Sequence, residues 1–117
     1  MEHMKIIQDT LRELGIGKNY ISQTRTVVVI QLALEDEDRL LRVKKGIYIP
    51  AAEQCNCTWS AVERNIRTVV EKAWEVNRDG LIKMAGYPMS GPPTASEFIE
   101  IMVYHIQKEL VVTSHSK

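Results

Sequence analysis

The stretch CTWSAVERNIRTVVEKAW, residues 57–74, gathers Glu63, Arg64 and Arg67 at the front of one amphipathic segment. An arginine can donate two hydrogen bonds to a guanine edge, and a glutamate can accept one from the cytosine amino group. Ser60 and Thr68 lie on the same segment, and Lys44 and Lys45 precede it. With backbone N–H groups at a helix start, these four residues have the chemistry to hold phosphates. A plainer reading fits the same residues. Glu63 and Arg67 stand four apart, so they can form an ion pair on a solvated helix face, worth a few tenths of a kcal/mol.

The element that must carry these side chains is a helix over 59–76. On a helical wheel Val62, Ile66, Val69, Val70 and Ala73 make one apolar stripe, with Trp74 at its edge. Ser60, Arg64, Arg67 and Glu71 fall on the opposite side. The segment before it supplies the other half of a helix-turn-helix. Pro50 suits a first helical turn. Ala51 and Ala52 are small enough for a close crossing, and Asn56 stands at the turn, where a left-handed backbone is needed. Thr58 or Ser60 can cap the second helix, and Ser60 with Glu63 reads as a capping box.

The rest of the chain also reads mostly as helix. Ile7, Leu11 and Leu14 are followed by Gly15, a short helix with a glycine stop. The run YISQTRTVVVIQLAL, residues 20–34, stays open. Its β-branched centre favours a strand, whereas its length and lack of Gly or Pro favour a buried helix. The acids Glu35 to Asp38 cap a helix that carries Lys44 and Lys45 in its last turn and is expected to end at Gly46. GYPMSGPPT, with three prolines and two glycines, is a loop. Thr94 and Glu97 form a capping box for a last helix over roughly 95–110, with 113–117 expected to fray.

Composition bounds the function. The 117 residues fit a single domain, 1–117 with a core over about 5–110, and 44% hydrophobic against 26% charged residues is a soluble profile. No run is long and apolar enough to span a bilayer or to act as a secretory signal, so a cytoplasmic setting is expected. The net charge of zero gives no general attraction to nucleic acid, so any such contact must come from a local basic face. Cys55 and Cys57 are one residue apart, too close for an unstrained disulfide, and His3, His105 and His115 are scattered. Hence no metal, no cofactor and no catalytic constellation is expected, and the chain is not read as an enzyme.

Three ordered motifs carry a resemblance to a known family. SAVERNIRTVVEKAW, the pair Gly86 and Tyr87, and PTASEFI resemble the C-terminal effector domain of stage zero sporulation protein A, a sporulation response regulator. Weaker similarity covers about residues 5–110. The resemblance implies an all-α domain of about six helices, with the helix-turn-helix in helices four and five, and implies helix for 20–34. It assigns base reading on double-stranded DNA to Glu63, Arg64 and Arg67. It further implies a possible homodimer on tandem DNA sites and a contact to RNA polymerase sigma factor through about residues 77–90. The family protein also has a phosphoacceptor receiver domain, absent from this sequence, which therefore reads as a fragment or, with its divergent sequence, as a stand-alone effector. Basic positions of the family are Glu53, Gln54, Ala61 and Thr68 here, so weaker DNA binding is expected, with a protein-interaction module as the alternative.

Overall fold

In the computed structural model, which describes residues 3–18 and 20–115, the described residues are 82% helical. That is far above the usual third, and the fold is all-α. Helix α1 (Met4–Glu13) buries Ile7 and Leu11, and Leu14 follows them into the core. Gly15 then turns the chain with φ +92°. Its missing side chain matters twice, because a Cβ there would also lie 2.7 Å from Cγ1 of Val76 on a distant helix.

Helix α2 (Ile21–Glu35) contains the β-branched run. It has no single apolar face: Val27, Val29, Ile30, Leu32 and Ala33 are all buried. It packs against α1 and against three later helices, which cover its second half, from Thr26 to Ala33, on all sides. A helix that is apolar all round is stable only in that central position, and there burial outweighs β-propensity.

The segment after α2 departs from expectation. Asp36 does cap, its carboxylate accepting the Asp38 N–H at 3.1 Å, but it opens a 3-10 helix, Glu37–Arg42. Gly46 does not end a helix. It lies inside a π-helical turn, Lys44–Tyr48, that runs directly into helix α3 (Ile49–Cys55). The glycine serves close packing instead. A Cβ at Gly46 would stand 3.0 Å from the Arg39 carbonyl oxygen, and the Arg39 guanidinium donates to the Gly46 carbonyl at 2.6 Å.

Pro50 occupies the first turn of α3, and Asn56 follows it with φ 54° and ψ 51°. Helix α4 (Trp59–Ala85) is longer than expected. Its predicted end at 76 is a kink at Asn77, where φ is −146° and ψ 61°. The Asn77 carboxamide explains both sides of the break. Its nitrogen donates to the Glu13 carbonyl at the end of α1 at 2.9 Å, and its oxygen accepts the Gly80 N–H at 3.0 Å. The second half of α4 is thus capped internally and ends at Gly86, which has φ 79°.

Helix α5 (Ala95–His115) opens on the expected capping box: the Thr94 N–H donates to Glu97 at 2.8 Å, and the Glu97 N–H to the Thr94 hydroxyl at 3.1 Å. Its backbone stays helical five residues past the predicted end; of the stretch expected to fray, 116–117 lie outside the described residues. Thr94→Ala should cost about 1 kcal/mol. Thermal denaturation followed by circular dichroism reads this as a lowered midpoint. With the π turn counted as the start of α3, the described residues form six helices, and the helix-turn-helix is the fourth and fifth. The core joins α1, α2 and α4 to Phe98, Ile99, Met102 and Ile106 of α5.

Candidate nucleic-acid interface

The crossing of α3 and α4 is built from small residues against branched ones. Ala51 and Ala52 are buried on α3, and Val62, Ile66, Val69, Val70 and Ala73 are buried on α4. Asn56 takes the left-handed conformation that lets two helices meet across so short a turn. Thr58 caps α4, its hydroxyl accepting the Ala61 N–H at 3.1 Å. Ser60 is not the cap, and Ser60 and Glu63 form no capping box. Cap position is set by where the backbone leaves the extended state, and it does so at Thr58 (φ −91°, ψ 155°). Ser60 instead lies exposed, 3.2 Å from the Thr58 hydroxyl.

This anchoring turns the polar face of α4 outward. Ser60, Arg64, Arg67, Thr68 and Glu71 are all exposed. Glu63 and Arg67 are brought together as an ion pair at 2.5 Å, with the Glu63 side chain 30% exposed and that of Arg67 63%. Among the described residues Arg64 pairs with no carboxylate, which leaves it an open cation at the helix front. The hydroxyl of the exposed Thr68 donates to the Arg64 carbonyl at 3.1 Å, which uses its proton. Lys44 reaches the same front from the π turn, its ammonium 4.2 Å from the centre of the Trp59 ring. Lys45, next on that turn, is exposed.

Two flanks frame the helix, and neither was visible in the sequence. On the Glu63 and Arg67 side lies a cleft of about 350 Å³, walled by Tyr48 and by Pro92 to Ser96. Tyr48 is only 4% exposed. Burial, and then the Glu63 carboxylate, push its phenol up, against weaker opposing effects of its hydrogen bond with Ser96 and of the Arg67 guanidinium. On the opposite side Asn65 links α4 to α2. It accepts from Arg25 at 2.9 Å and donates to Ser22 at 3.2 Å. These partners are 40 and 43 residues away in the chain. The only sequence signal was a polar Asn at the margin of an apolar stripe. Arg25 also stands near Cys55, whose thiol is pushed up by burial and by Cys57 and held down slightly by the guanidinium. Both thiols are unpaired, and the described residues contain no cluster of His, Cys, Asp or Glu able to hold a metal.

A short helix crossing a long one through a left-handed turn, the second core-anchored with an arginine-bearing front, defines a helix-turn-helix domain of the DNA-binding type. The chain matches the family described as sporulation initiation factor Spo0A C terminal over residues 7–106, and it belongs to that family. The family is a helical DNA-binding effector domain of a transcriptional regulator acting in sporulation, and it is a regulatory family rather than an enzyme family. No helix among the described residues is long and apolar enough to cross a membrane.

Proposed function

We propose that this chain binds double-stranded DNA sequence-specifically, with the front of α4 in the major groove. Glu63, Arg64 and Arg67 read base edges; Ser60, Thr68, Lys44 and Lys45 contact the backbone. One observation carries the reading: the front half of α4, fixed to the core by five buried residues, presents Arg64 outward, with no carboxylate partner among the described residues, at the end next to the Asn56 turn. The function places the chain in the cytoplasm. A sigma-factor contact through residues 77–90 and a homodimer on tandem sites rest on the family resemblance alone.

Zero net charge and the Glu63–Arg67 pair favour one other reading, a protein-interaction module that keeps the fold without strong DNA affinity. Fluorescence anisotropy separates the two. A labelled duplex carrying the family-type box is compared with a scrambled duplex at two salt concentrations. Preference for the box at both salts is expected. Equal, weak and salt-sensitive binding to both duplexes, with a stable complex to a full-length regulator or polymerase, would establish the second reading instead.

A further inference from the structure

Among the described residues Arg25 is a cation without a paired carboxylate. Ion pairs join Lys5 to Asp9 and Arg67 to Glu63, His105 stands 3.6 Å from Glu109, and Arg25 belongs to none of these contacts. Its one hydrogen bond runs from Nη1 to the Asn65 carboxamide oxygen, a neutral acceptor that leaves the charge intact. A guanidinium has five donors, so four stay available. Arg25 is half-buried, and its free nitrogens are not among the described side-chain atoms that are both sealed from solvent and unpartnered. The charge is held rather than mobile. Asn65, which orients it, is itself fixed by Ser22 at 3.2 Å, and Asn65 is the residue next to Arg64 on the front half of α4. Tying α2 to α4 requires only a donor, which a glutamine would supply. A permanent, oriented cation beside the helix front suits an anion lying along the edge of the groove. A planar guanidinium already set in place loses little side-chain freedom on meeting a phosphate.

We propose that Arg25 contacts a backbone phosphate beside the groove that α4 enters, with Asn65 and Ser22 as the residues that position it. The inference rests on the DNA-binding reading above and adds to it a contact from α2. Phosphate contacts set register and affinity without carrying sequence information. Arg25→Gln should therefore weaken binding to box and scrambled duplexes by the same factor. It should also flatten the dependence of log K on log salt by about one unit. Arg25→Lys keeps the charge and should keep most of the slope. Asn65→Ala frees the guanidinium and should weaken both duplexes less than Arg25→Gln does.

The experiment is an anisotropy salt titration of the native chain and these variants on both duplexes, with thermal midpoints recorded alongside. An unchanged slope in Arg25→Gln, with only a lowered midpoint, makes Arg25 a purely structural tie and overturns the proposal. Should Arg25→Gln fail to fold, the Arg25 Nε–H resonance of the labelled native chain replaces it. A shift on adding scrambled duplex at low salt supports the contact, and no shift overturns it. If the native chain binds box and scrambled duplex equally, base reading fails while the slope still decides Arg25. If it binds neither, both ideas fail.

Discussion

Arg64→Ala is expected to weaken binding to the target box by about 1–3 kcal/mol, roughly 5- to 150-fold, and to relax specificity at one base pair. Affinity for scrambled duplex should change far less. The expectation follows from what surrounds the side chain. Arg64 is exposed on a helix whose opposite face is fixed by Val62, Ile66 and Val69, and no carboxylate among the described residues has to release it before it meets a base. Arg67 is different. It is paired with Glu63 in the free protein, so any guanine contact it makes replaces an existing ion pair and gains correspondingly less. Arg67→Ala should thus show the smaller loss of the two. Anisotropy on the box, on single-base variants of it and on scrambled DNA checks the prediction. An equal loss on every duplex would make Arg64 a phosphate contact and remove it from base reading. The thermal midpoint should not move, because nothing in the core touches the truncated atoms.

Phe98→Ala should act in the opposite way, on the fold rather than on the contact. Phe98 is fully buried in the first turn of α5, within the core that also receives the apolar face of α4. Truncating a buried phenylalanine costs about 3–5 kcal/mol through lost transfer energy and the cavity left behind. A domain of this kind has only about 5–15 kcal/mol in total. Urea denaturation should show a midpoint shifted down by a large share of its native value, with Phe98→Leu losing much less. DNA affinity should fall on box and scrambled duplex together, in proportion to the unfolded fraction. A Phe98→Ala chain that keeps its native midpoint would show that α5 does not carry the core. Together the two variants separate a side chain that meets DNA from one that holds the scaffold presenting it.

Where a decision was local, the sequence was enough. The stripe from Val62 to Ala73 fixed which side of α4 is buried and therefore that Arg64 faces out. Thr94 and Glu97 fixed the start of α5, and Asn56 the left-handed turn, because capping and turn chemistry act over three or four residues. Gly15 ended α1 for the same reason. The Ser60–Glu63 capping box aside, the decisions that failed or stayed open depended on partners beyond that short reach. The run 20–34 is helical because four helices cover it, which its own periodicity cannot reveal. Gly46 reads as a stop but serves a close approach to Arg39. Helix α4 breaks at Asn77 because that carboxamide is bonded to Glu13, 64 residues earlier. Arg25 joins the edge of α4 through a hydrogen bond spanning 40 residues. The sequence by itself determined the helix-turn-helix and the residues on its outer face, since those follow from helical period and short-range hydrogen bonds. Only the tertiary structure decided that Lys44 rests on Trp59 and that α2 lends a cation to the flank, since each depends on which surfaces the core brings within a few ångströms of one another.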